Sequence, residues 1–175
     1  MDYLTRAQIQ AIHNLKGDRN ANRILADMSE YLGSFRHEIQ KVYHLNKAGR
    51  ERVKCEVERT KTQNIQHYLI RNQLWIYLRK PHSWKNEMKI KVKEVCVVAD
   101  AMFYVTKEVM AFVEVDVSQS MKVNRVKMDK YRKIKEMTGN EFHVVWITEI
   151  ESRRLKLKEL MQGMPGRVYT FNEIK

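Results

Sequence analysis

The sequence predicts a mixed chain, α+β in its first third and α/β in the rest. Three observations carry that. Helical periodicity and strand-like alternation occupy separate stretches. Beyond residue 60 they follow the order helix, three strands, helix, strand, helix, strand. The stretch Val97 to Asp116 (VVADAMFYVTKEVMAFVEVD) reads as two strands joined by a polar turn at Thr106-Lys107-Glu108. A hydrophobic share of 43% supports a packed core, and only two prolines and six glycines in 175 residues argue against a disordered or fibrous chain.

Residues 1–56 read as one small domain. Thr5 caps a first helix through about Leu15, with Leu4, Ile9, Ile12 and Leu15 on its inner side. Asp18 caps a second helix from Arg19 to about Leu32, with Ile24, Leu25, Met28 and Leu32 inward and Gly33 as its stop. The outward residues near its start, Arg19, Asn20, Asn22 and Arg23, are polar or basic, a composition suited to a helix end that meets DNA. SFRHE and KVYHL are two short strands around a tight turn, and Arg36, His37 and Lys41 there suit phosphate contacts. A helix–turn–helix followed by a two-stranded ribbon is the winged-helix pattern.

Residues 57–175 read as a second domain. A helix from about Thr62 to Lys80 stops at Pro81. In EMKIKVKE, Met88, Ile90 and Val92 face one way and Lys89, Lys91 and Lys93 the other, which marks an edge strand guarded by lysines. CVVADAMFYV and VMAFVEVDV complete a meander. A helix from about Met121 to Met137 carries seven Lys and Arg against two Asp and Glu, with Val123, Lys127, Lys130 and Ile134 as the stripe expected to rest on the sheet. The buried strand FHVVWIT, a helix from Glu149 to about Met161 and a short strand VYTF close the chain.

A formal net charge of +12 favours anionic partners, nucleic acid before membrane surface. Residues 1–56 hold ten Lys and Arg against seven Asp and Glu, so most of the surplus lies downstream. No apolar run is long enough to span a bilayer, and the first residues lack a secretory signal pattern. Cys55 and Cys96 stand alone, without a CxxC, and are expected to be reduced thiols in a cytoplasmic protein. There is no GxSxG, P-loop or GxGxxG, which argues against a serine hydrolase or nucleotide-driven chemistry.

The chemistry-bearing feature is acidic. In VMAFVEVD, Met110, Phe112, Glu114 and Asp116 share one face of a strand that is apolar on both faces. Neighbouring buried carboxylates need a metal, a cation or a shared proton. Asp100, on the preceding strand, reaches the same spot if the two strands pair, and Asp100, Glu114 and Asp116 then form a candidate divalent-metal site.

The αβββαβ order is the core of the PD-(D/E)xK, or restriction-endonuclease-like, fold. Asp100 and Glu114 occupy its acid positions, and Glu87 suits its additional acid. The chain has Glu114-Val115-Asp116 where the fold has ExK; the next helix offers a lysine instead, at Lys127 or Lys130. Taken together, LTRAQI, RILADMSEYLG, VYHLNKAGRE, NIQHYLIRNQL, SWKNE, VADA, FVEVD, KMDKY, HVVWIT and ESRRLKLKEL resemble the replication-relaxation family of bacterial plasmids, phages and integrative elements. The family commonly shows Pro-Asp-Ala/Gly where this chain has Ala99-Asp100-Ala101. The resemblance implies a winged helix joined to a PD-(D/E)xK-like domain, with the family's site pattern falling on Glu87, Asp100, Glu114, Asp116, Lys127 and Tyr131.

The function expected first is that of a double-stranded-DNA-binding protein of a mobile element, acting in replication, mobilisation or their control, with a non-catalytic nuclease-like domain. The alternative is an endonuclease or nickase dependent on Mg²⁺ or Mn²⁺; otherwise no cofactor is expected. A further alternative is an accessory factor or transcriptional regulator that forms homodimers or grips replication or conjugation proteins.

Overall fold

A computed structural model describes residues 3–58 and 64–175. By its contacts the chain divides into two compact units, Met1–Ile76 and Tyr77–Lys175.

The first unit opens with strand β1 (Leu4–Thr5) and helix α1 (Arg6–His13). Thr5 caps α1 as its position suggests: its hydroxyl accepts from the Gln8 amide, and the Gln8 side chain accepts from the Thr5 amide. The helix ends at His13, two residues short of Leu15, with Asn14 as its cap in the left-handed region at φ 52°. Helix α2 (Asp18–Asp27) starts after Gly17, which makes no side-chain cap, so Asp18 is its first residue and not its cap. It stops at Asp27, five residues before the expected end. Leu32 and Gly33 instead open strand β2 (Leu32–His37), which pairs with β3 (Gln40–Leu45) through a turn at Glu38-Ile39. Gly33 lies within the strand pair and not at a helix end: a Cβ there would lie 2.6 Å from the His44 ring, which would have to shift.

Two elements of this unit carry no strong sequence signal. β1 is two residues long and adds to β3, giving the order β1-β3-β2. Helix α3 (Lys47–Arg52) is capped by Asn46, whose Oδ1 accepts from the Gly49 amide at 2.9 Å. Helix α4 (Ile65–Tyr77) was expected to open the second domain at Thr62, a position outside the described residues. Within them, α4 packs on the first unit. Ile65 and Leu69 join Tyr3 and Val42 in one buried cluster. Gln8 Nε2 donates to the Leu69 carbonyl, and Asn72 Nδ2 donates to the Tyr3 carbonyl, both at 2.8 Å. The helix ends at Tyr77, ahead of Arg79 and Lys80 in the left-handed region and of Pro81.

The second unit is a five-stranded sheet in the order β4-β5-β6-β7-β8, formed by Lys85–Val92, Val95–Tyr104, Met110–Asp116, Phe142–Thr148 and Gly166–Thr170. The first three strands run antiparallel as a meander, and the last two lie parallel to β6. Helix α5 (Met121–Thr138) crosses between β6 and β7. A 3-10 turn at Glu151–Arg153 and helix α6 (Arg154–Leu160) cross between β7 and β8. As its alternation implies, β4 is an edge strand, with Met88, Ile90 and Val92 against the core and Lys89, Lys91 and Lys93 exposed.

β6 is the central strand, and Ala111 through Asp116 are all buried. One face of the sheet, with Val97, Ala99, Phe112, Val144, Trp146 and Val168, packs against Met128, Tyr131 and Ile134 of α5 and Leu157 of α6. The stripe expected on α5 is corrected here. Val123 is 51% exposed and Lys130 is exposed, while Asn124, Met128, Tyr131 and Ile134 are buried. The inward face is rotated because helical phase follows the buried aromatic and methionine, not the first apolar residue of the helix.

Candidate functional site

Glu114 and Asp116 stand two residues apart on the helix-covered face of β6, and both are fully buried. Alternation places them there, and each is held by its own set of donors.

Glu114 is met by α5. Lys127 and Tyr131 are one helical turn apart, so both reach the same point on the sheet. The Tyr131 hydroxyl donates to Glu114 Oε1 at 2.5 Å, and the Lys127 ammonium pairs with Oε2. Burial, and next the negative charge of Asp100, push the Glu114 carboxyl up to about 8, against the opposing pull of Lys127 and Tyr131. Burial and then Glu114 drive the Tyr131 phenol well above its ordinary range. Tyr131 therefore keeps its proton, which it directs to this carboxyl.

Asp116 is enclosed differently. Arg153 grips both oxygens, Nε to Oδ2 at 2.6 Å and a terminal nitrogen to Oδ1 at 2.8 Å. Asn124 Nδ2 donates to Oδ1 at 2.9 Å and the Thr148 hydroxyl to Oδ2 at 3.1 Å. Arg153 also donates to the Gln119 carbonyl at 2.6 Å, tying the turn after β7 to the loop after β6. Four donor contacts on two oxygens compensate the burial of this carboxylate.

Asp100 completes the cluster. Val97 and Ala99 face the helix side of the sheet, and so does Met102, so the alternation of β5 slips between Ala99 and Met102. The β5–β6 ladder ends at Ala101 and Val113. Beyond it, Asp100 Oδ2 accepts from the Val115 amide at 2.7 Å, taking the place of a ladder carbonyl. Across the other edge, the pairs Asn86–Ala101 and Met88–Ala99 bracket Glu87 opposite Asp100; Glu87 is exposed and has φ 55°.

The structure thus brings Asp100, Glu114, Lys127 and Tyr131 to one spot, and places Asp116 beside it in a separate ion pair. Lys130 points away. Among the described residues no group of three or more His, Cys, Asp and Glu side chains is placed to share a metal ion. The donors around Asp116 were missed by sequence reasoning, although two left a signal. Asn124 is the polar residue within the inward stripe of α5, and Thr148 ends an otherwise apolar strand. Arg153 left none, because its reach depends on the turn that follows β7.

The second group of candidate residues lies on the first unit. Arg19, Asn22 and Arg23 are exposed on α2, and Asn20 is half-buried. Arg23 bonds Asn20 Oδ1 at 3.2 Å and pairs with Asp27 at 3.3 Å. On the hairpin, Arg36 and Lys41 are exposed and opposite one another in register, while His37 is half-buried. The Arg36 Nε donates to the Glu38 carbonyl at 3.2 Å, and the Lys41 ammonium lies 5.4 Å from the Tyr43 ring centroid.

The family model described as Replication-relaxation matches residues 1–145. The chain belongs to the Replication-relaxation family. The match spans the whole first unit and the second as far as β7, so it includes Glu87, Asp100, Glu114, Asp116, Lys127 and Tyr131. Arg153, which neutralises Asp116, lies beyond the matched residues of this Replication-relaxation protein. No curated protein and no solved structure matches the chain. Among the described residues no helix is long and apolar enough to cross a membrane.

Proposed function

We propose that this protein binds duplex DNA through its first unit, in the manner of a winged helix. It acts in the replication or mobilisation of a bacterial plasmid, phage or integrative element, or in their control. Its second unit has the strand order of a PD-(D/E)xK nuclease and serves as a scaffold without the reaction. The observation that carries the reading is the solvent face of α2 and the hairpin, where Arg19, Asn22, Arg23, Arg36 and Lys41 are exposed within one compact unit. A helix following a tight turn, beside a basic ribbon, is suited to a groove and its flanking phosphates. The net charge of +12 adds long-range attraction to a polyanion. The Replication-relaxation family supplies the biological setting.

The non-catalytic reading of the second unit is supported by the state of its acids. Both oxygens of Glu114 are engaged by Lys127 and Tyr131, and both oxygens of Asp116 by Arg153. The test is a titration with duplex DNA across a range of salt. Affinity should fall linearly with log salt concentration, and Arg19→Ala with Arg23→Ala should weaken binding by roughly ten-fold or more. Binding that ignores both salt and these substitutions removes the reading.

One observation favours a second reading, a DNA endonuclease or nickase dependent on Mg²⁺ or Mn²⁺. Asp100 is close enough to raise the Glu114 pKa, and Lys127 stands on Glu114, so two acids and a lysine share one spot. The donors as placed do not form a metal site: Lys127 holds Glu114, Arg153 holds Asp116, and Asp100 Oδ2 is spent on the Val115 amide. Supercoiled plasmid nicked in Mn²⁺ by the parent, but not by Asp100→Ala or Glu114→Ala, would favour this reading. Plasmid left intact by all three excludes it.

A further inference from the structure

An open cavity of about 290 Å³ lies at the surface of the first unit, between α2 and the β2–β3 hairpin. Its polar lining is Asn22 and Ser29 from the helix, Ser34 from β2, and Lys41 and Tyr43 from β3. Strand register explains the grouping. Ser34 is paired with Tyr43, and Arg36 with Lys41, so these four share the face turned to α2. Phe35 and Val42 lie on the opposite face, packed with Tyr3. Buried Leu25 is part of the apolar lining.

Two features bear on what this cavity would accept. It has no acidic residue in its lining. None of its five polar side chains has a hydrogen bond or ion pair among the described residues; the intramolecular contact of Lys41 is with the Tyr43 ring. Asn22, Ser29, Ser34 and Lys41 are exposed and Tyr43 is half-buried, so two serine hydroxyls, a phenol, an amide and an ammonium line one groove without being committed to other side chains. Protein polar groups gathered in this way match an acceptor-rich anion, and a tetrahedral phosphate offers several acceptor oxygens to a set of donors approaching from several directions.

We propose that this cavity is a phosphate-binding site, in which Lys41 supplies the charge and Ser29, Ser34, Tyr43 and Asn22 supply hydrogen bonds. The proposal rests on the DNA-binding reading for its expected source: a backbone phosphate seated between helix and ribbon, fixing the register of α2 on the duplex. A free phosphate compound would present the same chemistry. The cavity extends the interface beyond the exposed cations to Ser29, Ser34 and Tyr43.

The experiment uses the full chain and two probes, a mixed-sequence duplex and inorganic phosphate compared with chloride at equal ionic strength. The variants are Lys41→Gln and Tyr43→Phe, both of which keep most of the side-chain volume; melting curves of each without ligand confirm folding. With duplex, Lys41→Gln should lower the slope of log affinity against log salt by about one. Tyr43→Phe should weaken binding by roughly ten-fold or more, in the range of one lost hydrogen bond to a charged group, with the slope unchanged. A phosphate-specific rise in melting temperature that Lys41→Gln abolishes, in a parent that does not bind duplex, keeps the site, assigns it to a free phosphate compound and removes the DNA-binding reading. Duplex binding by both variants equal to the parent, at every salt concentration, overturns the site and leaves the DNA-binding reading standing. No response of the parent to either probe overturns both.

Discussion

Arg153 holds Asp116 with two nearly equal hydrogen bonds, 2.6 and 2.8 Å, from a residue 37 positions further along the chain. The carboxylate is fully buried and the arginine side chain is 18% exposed. Removing the cation leaves a buried charge with two neutral donors, Asn124 and Thr148. Arg153→Ala is expected to destabilise the protein by about 3–5 kcal/mol, the usual penalty for breaking one side of a buried pair. Arg153→Lys should recover part of that, because an ammonium restores the charge but not the two-pronged geometry. Urea unfolding measures both; a loss below about 1 kcal/mol for the alanine variant, the range of an exposed pair, would show that the pair does not hold Asp116.

Glu114 ties stability to pH in a direction opposite to that of a carboxylate stabilised by an ion pair. In the folded protein its proton is retained up to about 8, against 4.5 for an ordinary glutamic acid. Between those two values the unfolded chain binds fewer protons than the folded one, so this group's contribution to stability falls as pH rises. Below the lower value its contribution is fully present. Glu114→Gln has no proton to lose. Its stability relative to the parent should therefore climb from about pH 4.5 to about pH 8, by at most about 1.4 kcal/mol per pH unit. Parallel pH profiles for the two proteins would contradict the raised pKa.

Asp100 raises the pKa of Glu114 through its charge, second only to burial. Asp100→Asn keeps an oxygen for the Val115 amide and deletes the charge. The Glu114 titration should move down in this variant, visible in its side-chain carboxyl chemical shift or in the midpoint of the stability difference described above. No movement, or movement upward, would mean that the two carboxylates do not share a site.

Gly166 opens β8 at φ 145°, beside Val144 of β7, and a Cβ there would lie 1.8 Å from the Val144 carbonyl oxygen. That oxygen is backbone within a buried strand and cannot swing aside. Gly166→Ala is expected to lower stability by about 1–3 kcal/mol. Thermal unfolding is the check, and a variant as stable as the parent would show that β8 docks more loosely on β7.

Much of the second unit was legible because alternation and breaks in periodicity are local. The edge strand with its three lysines, the buried central strand, the turn at Thr106–Glu108 and the helix between β6 and β7 follow from them. That Lys127 and Tyr131 share a face follows too, since they are four apart on a helix; their meeting with Glu114 depends on how that helix docks. The phase of α5 was not legible. Val123 resembles a core residue in sequence, and only the docked helix shows that Asn124, Met128 and Tyr131 take the inward face. The end of α2 was misplaced for a similar reason: Leu32 continues the helical pattern, yet pairing with Leu45 draws it into β2.

By itself the sequence determined most of the helices and strands, the order β4-β5-β6, the placement of two acids on one face of the central strand, and the strong positive charge. Tertiary structure decided which cation each acid would meet, which unit α4 would join, and which side chains would ring the cavity beside α2. The division has a physical reason. Alternation and helical pitch act between neighbours and survive in a linear code, whereas a hydrogen bond from Arg153 to Asp116 exists only after a parallel crossover has carried two distant turns together.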